Sequence, residues 1–182
     1  MSATEQAARL IQQGAVIAYP TEGVWGLGCD PYNKEAVGRI LALKQRPANK
    51  GLILLAGSFD QVIDLTRNLQ SEHMALLQES WPGPHTWLLP DTEQSIPVWI
   101  KGQFDTVAVR VSAHTLVADL CQACGGMLVS TSANPADKPP ALTREQVEAY
   151  FPVGIDMILP GEIGEQSGPS EIKNLMTQQV IR

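Results

Sequence analysis

Three cations stand within seven residues at "KQRPANK" (44–50): Lys44, Arg46 and Lys50, around Pro47. An ammonium and a planar guanidinium held together by a stiff bend suit one anion, a phosphate or a carboxylate. The same residues also suit a blander arrangement, with Lys44 offsetting a helix C-terminus and the other two solvated in a loop. A second group is "VSTSANP" (129–135), where an apolar run ends in Ser130, Thr131, Ser132 and Asn134. Hydroxyls and an amide at a strand end can contact a polyphosphate, a base or a metal-bound water, or simply make a turn. Thr21 and Glu22 in "PTEG" (20–23) sit at another strand end. Arg110 lies inside the apolar run "TVAVRV" (106–111), where a cation needs a carboxylate partner or an anionic ligand.

Other chemistry lacks its residues. There is no G-x-x-x-x-G-K-[ST] loop, and the glycines of "GVWGLG" run in the reverse order of the dinucleotide fingerprint. No H-E-x-x-H, G-x-S-x-G or four-residue zinc pattern occurs. Cys121 and Cys124 form C-x-x-C, but near the C-terminus of a predicted helix, where the dipole does not favour a thiolate. His73, His85 and His114 are scattered, with nothing to pair them to a nucleophile; His114 starts a helix.

The elements that position these groups are short and alternate. Ser2 and Glu5 have capping-box spacing for a first helix that ends by Gly14. "AVIAY" (15–19) reads as a buried strand, and residues 20–31 as a loop or a bulged strand. Asn33 caps a helix ending near Lys44, and Pro47 breaks it. Strands follow at 51–56, 85–89, 106–111, 127–130 and 156–159. Helices are predicted over 59–81 in two pieces, over 114–124 and from Thr143. The stiff turn "WPGP" leads into the 85–89 strand, and residues 170–182 read as a closing hairpin. The alternation indicates one α/β domain over 1–182, with a mixed sheet.

The charge balance sharpens the first observation. The 182 residues carry 13 Lys and Arg against 19 Asp and Glu, a formal charge of −6, which argues against wholesale wrapping around nucleic acid but allows a local basic patch. Three cysteines suit reduced thiols. The N-terminus lacks a signal-peptide pattern and no apolar run could span a bilayer, so a cytoplasmic, membrane-free protein is expected.

Taken in order, "YPTEGVWGLGCDP", "LKQRPANKGLILL", "WPGPHTWLLP", "VAVRV" and "LVSTSANP" resemble the YrdC/TsaC family of L-threonylcarbamoyl-AMP synthases over nearly the whole chain, in its short bacterial form. The resemblance implies a twisted mixed β-sheet flanked by helices, with a concave, positively lined cavity. It implies that L-threonine, bicarbonate or CO2, and ATP give L-threonylcarbamoyl-AMP and pyrophosphate. This is the first step of threonylcarbamoyladenosine formation in tRNAs reading ANN codons. Mg2+ would arrive with ATP, with no protein metal site. Proteins that transfer the threonylcarbamoyl group, and tRNA or double-stranded RNA, would be partners.

By motif, the resemblance assigns catalysis to Lys44 and Arg46. It assigns ATP binding to Lys44, Arg46, Ser132, Asn134 and Ser170, and threonine binding to Thr21, Lys50, Arg110 and Ser130. Two departures stand out. "NPADK" replaces the usual continuation after S-A-N, and the late "GEQSGPSEI" has no arginine. The chemistry fits the residues present, because the nucleophile comes from the substrate and the protein must only hold anions and stabilise charge. The alternative is a non-catalytic RNA-binding or ribosome-maturation module on the same fold.

Overall fold

A computed structural model describes residues 1–182. Helix α1 (Ala3–Gln12) begins with the expected capping box between Ser2 and Glu5. Its apolar stripe, Ala7, Ala8 and Ile11, is buried. Strands β1 (Ile17–Pro20) and β2 (Trp25–Gly28) form an antiparallel hairpin, so the glycine-rich 20–31 segment contains a true strand. Helix α2 (Lys34–Lys44) is capped by Asn33, and Gln45 ends it in the left-handed region. A short 3-10 turn (Ala48–Lys50) leads to β3 (Ile53–Ala56).

Helices α3 (Ile63–Thr66) and α4 (Ser71–Ser80) are the two expected pieces. Strands β4 (His85–Pro90) and β5 (Thr106–Val111) flank α5 (Val98–Lys101), a single turn that the sequence did not signal. Helix α6 (Thr115–Cys124), β6 (Leu128–Ser132), α7 (Arg144–Tyr150), β7 (Met157–Ile158) and β8 (Glu171–Asn174) complete the chain.

The eight strands form one mixed sheet in the order β7-β1-β2-β6-β3-β5-β4-β8. Only β1–β7, β3–β5 and β4–β8 are parallel. The tail does fold back, as Lys173 bridges Val180, but β8 pairs with β4 and carries that tail to the sheet.

Side chains alternate across the central strands. Leu54 and Ala56 of β3 join Ile40, Leu77 and Val109 in one core. Leu55 faces the opposite side, with Ile11, Tyr19, Leu120 and Leu128. On that second face, α1 and α6 cover only half the strand length. Leu55 is in register with Leu128 and Arg110, and two residues back Ile53 is in register with Ser130 and Ala108. This second row continues to Leu88 and Asn174. It becomes the floor of a cavity, with Ile100 and Lys101 of α5 among the lining.

Candidate active site

The cavity has a volume of about 580 Å3, within the usual range for small-molecule sites. Strands β3 to β6 and β8 supply its floor. One wall is the Arg46–Leu52 stretch, the opposite wall is Gly168–Ser170, and Ile181 and Arg182 complete the rim. Five of the chain's cations line it, namely Arg46, Lys50, Lys101, Arg110 and Arg182, and no Asp or Glu does. Lys101 is paired with Asp91 and Arg110 with Glu22, so Arg46, Lys50 and Arg182 carry the unpaired positive charge of this concavity, which attracts anions.

The Arg46–Leu52 wall is held by the unforeseen α5. Leu52 N donates to Ile100 O at 2.8 Å, and Gln103 N donates to Asn49 O at 3.2 Å. Gly102 makes this approach feasible: a Cβ there would lie 2.5 Å from Asn49 O. Arg46 Nη2 donates to Gly51 O at 2.9 Å, while its buried Nε has no partner in the chain. Partial burial holds the Arg46 pKa below its ordinary value. Lys50 also lines the cavity and forms no ion pair.

Lys44 departs from the expected pairing with Arg46 on one anion. Its side chain is 6% exposed and does not line the cavity. The ammonium donates to Ser132 O, to Asn134 O at 2.9 Å and to Asn134 Oδ1 at 3.4 Å. The physical reason is α2 itself, which ends with Lys44 against the loop after β6, whereas Arg46 lies beyond the left-handed Gln45 and turns the other way. Burial, then repulsion from Arg46, lowers the Lys44 pKa to about 8.

The "STSAN" loop is therefore a built structure. Ser132 Oγ donates to Asn134 Oδ1 at 2.6 Å, and Asn134 Nδ2 donates to Pro135 O and Lys138 O. Ser130, Thr131 and Ser132 face the cavity; Asn134 stands behind them. The departing "NPADK" segment closes as a tight turn with Asp137 at a φ of 62°.

Arg110 is 6% exposed and forms an ion pair with Glu22, Nη2 to Oε2 at 3.0 Å. Thr21 Oγ1 donates to Val24 O at 2.7 Å, closing the turn after β1. Ser170 and Thr86 share a hydroxyl hydrogen bond of 2.6 Å beside the cavity. Thus Thr21, Arg46, Lys50, Arg110, Ser130, Ser132 and Ser170 meet at one cavity, with Lys44 and Asn134 one layer behind.

Sequence reasoning missed Arg182. The late segment lacks an arginine, yet the folded-back tail returns one. Arg182 lines the cavity, and Nη2 approaches Ser170 O at 3.4 Å. Partial burial, then repulsion from Arg46 and Arg110, lowers its pKa. The available signal was the hairpin pattern of 170–182, whose pairing carries the last cation toward the strand-end hydroxyls.

Cys121 and Cys124 of the C-x-x-C pair are free thiols in the last turn of α6. Burial pushes the Cys121 thiol up to about 12 and Cys124 up to about 11. No group of three His, Cys, Asp or Glu side chains is placed to hold a metal.

Residues 9–182 match the Sua5/YciO/YrdC family, described as "Telomere recombination". A threonylcarbamoyl-AMP synthase of Pseudomonas putida is 51% identical over 178 residues, covering 98% of this chain and 95% of that protein. One from Pseudomonas aeruginosa is 52% identical over 176 residues, covering 97% and 94%. Among solved structures, P. abyssi Sua5 complexed with L-threonine superposes with a TM-score of 0.88 at 34% identity. That match covers 95% of this chain and 51% of the other, so this chain spans about half the length of that Sua5. E. coli YciO shares the fold, with a TM-score of 0.85 at 24% identity over 98% of this chain and 87% of its own. On the match over 9–182 and the near full-length identity to its relatives, the chain belongs to the Sua5/YciO/YrdC family.

Proposed function

We propose that this protein is a threonylcarbamoyl-AMP synthase. The observation that carries the reading is the carboxylate-free, cation-lined cavity rimmed by strand-end hydroxyls, in a chain 51% identical to synthases of that name. Threonine's amine and CO2 give a carbamate and a proton. A carbamate oxygen then attacks the α-phosphorus of ATP, the bond from the α-phosphorus to the bridging oxygen breaks, and pyrophosphate leaves. No protein nucleophile is needed. The site must gather anions and offset charge on the phosphoryl oxygens.

Arg46, Ser132, Ser170 and Arg182 face the space where a triphosphate would lie. Lys44 adds charge from behind Ser132. Arg110, Thr21, Ser130 and Lys50 form the part of the lining that takes threonine. Mg2+ enters as part of the ATP substrate. The product would pass to proteins that transfer the threonylcarbamoyl group to tRNA, in a cytoplasm that supplies ATP and keeps the three free cysteines reduced. No helix is long and apolar enough to cross a membrane. The cations line a concavity instead of a surface stripe, so the RNA-binding alternative has no observation of its own.

The test is pyrophosphate release from ATP with purified protein. Release that requires both threonine and bicarbonate is expected; release independent of threonine, or none, sinks the reading.

A further inference from the structure

Glu22 is a buried carboxylate one step behind the cavity wall. Its side chain comes from the turn after β1, and its partners come from β5 and the residues just beyond it. Oε2 accepts from Arg110 Nη2 at 3.0 Å. Oε1 accepts from Ser112 Oγ at 2.8 Å and from Ala113 N at 2.9 Å. The turn after β1 and strand β5 are thereby joined at the carboxylate, by two residues 88 apart in sequence.

Arg110 needs such an anchor. It lines the cavity, but its long side chain has several rotatable bonds, and freezing them on ligand binding would weaken affinity. Glu22 occupies a single nitrogen. Nη1 and Nε make no hydrogen bond within the chain. Nη2 keeps its second N–H, which pairs with an N–H of Nη1 or Nε as the fork that takes a carboxylate in two parallel bonds.

We propose that Glu22 is a positioning residue that pre-orients Arg110 toward the carboxylate of the amino-acid substrate. This rests on the reading of the cavity as a threonine and ATP site. Glu22 is not the base that takes the amine proton: both its oxygens already accept from three fixed donors, and it does not line the cavity.

The test compares wild type, Glu22→Gln and Glu22→Asp by calorimetric binding of L-threonine and by steady-state kinetics. In Glu22→Gln the amide oxygen still serves Ser112 and Ala113, but an NH2 faces Arg110 and displaces the guanidinium. The threonine Kd and KM rise about tenfold or more, as for loss of a charge-assisted hydrogen bond. The KM for ATP changes less than about twofold, and kcat at saturating threonine stays within about threefold. Glu22→Asp, which keeps the charge, recovers part of the threonine affinity.

Should Glu22→Gln fail to fold, Ser112→Ala removes one Oε1 donor without unpairing a charge. A smaller rise confined to threonine is expected. Unchanged threonine affinity in a folded variant, or equal effects on threonine and ATP, overturns the proposal. Wild-type protein that binds no threonine overturns the functional reading as well, so the two failures are distinguishable.

Discussion

Lys44 and Asn134 are bound at two points, the ammonium reaching the backbone oxygen at 2.9 Å and the side-chain oxygen at 3.4 Å. The end of α2 is thus tied to the loop that follows β6, and the tie depends on a proton. With the Lys44 pKa lowered to about 8, kcat/KM for ATP is expected to fall as pH rises through about 8. This parameter reports ionisation of the free enzyme, and a pH–rate profile measures it.

The stability effect of the same group has the opposite sign. The unfolded lysine titrates near its ordinary value of 10.5, so between about pH 8 and 10.5 the unfolded chain binds more protons. The Lys44 contribution to stability therefore rises with pH across that window and is lost as pH falls toward 8. Urea unfolding of wild type and Lys44→Met from pH 7 to 10 should show the difference shifting in favour of wild type as pH increases. A flat difference would contradict the buried ammonium.

Arg182 and Arg46 face the same space without carboxylate partners. Arg182→Ala is expected to raise the KM for ATP about tenfold, as for one charged hydrogen bond, and to leave the melting temperature nearly unchanged. Arg46→Ala also removes the bond to Gly51 O, so it should lose activity more deeply. Equal ATP affinities in wild type and Arg182→Ala would place the tail outside the site.

Gly23 lies against the opposite wall, where a Cβ would sit 2.0 Å from Gly168 O and 3.1 Å from Gln166 O. Gly23→Ala must push the 166–168 segment away from the turn that holds Thr21 and Glu22. The cost is about 1–3 kcal/mol, typical of overpacking, read as a lowered melting temperature together with a raised KM for threonine.

The thiols should be inert. Cys29 and Cys121 are buried, with pKa values pushed up to about 12, and Cys124 is raised to about 11. Alkylation of the folded protein at pH 7.5 should be slow and should speed up on unfolding. Cys124→Ser should retain full activity. Rapid labelling of the native protein would contradict the burial.

The sequence by itself determined the elements whose signals are local. The Ser2–Glu5 capping box, the Asn33 cap, the break at Pro47 and the apolar runs of β3, β5 and β6 each depend on neighbours within a few residues, and all are present. It also marked most groups of the candidate site, because cations, hydroxyls and an amide at strand ends stand out against apolar runs. Tertiary structure decided what depends on distant partners. The α5 turn has only four residues and persists by packing on the 49–52 backbone, which no local pattern encodes. Lys44 and Arg46 read as one clamp in sequence, but the left-handed Gln45 between them sends one to the loop and the other to the cavity. Glu22 meets Arg110 across 88 residues, and Arg182 enters the site only because β8 pairs with β4 and the tail folds back on it. These are long-range contacts, set by strand order and register.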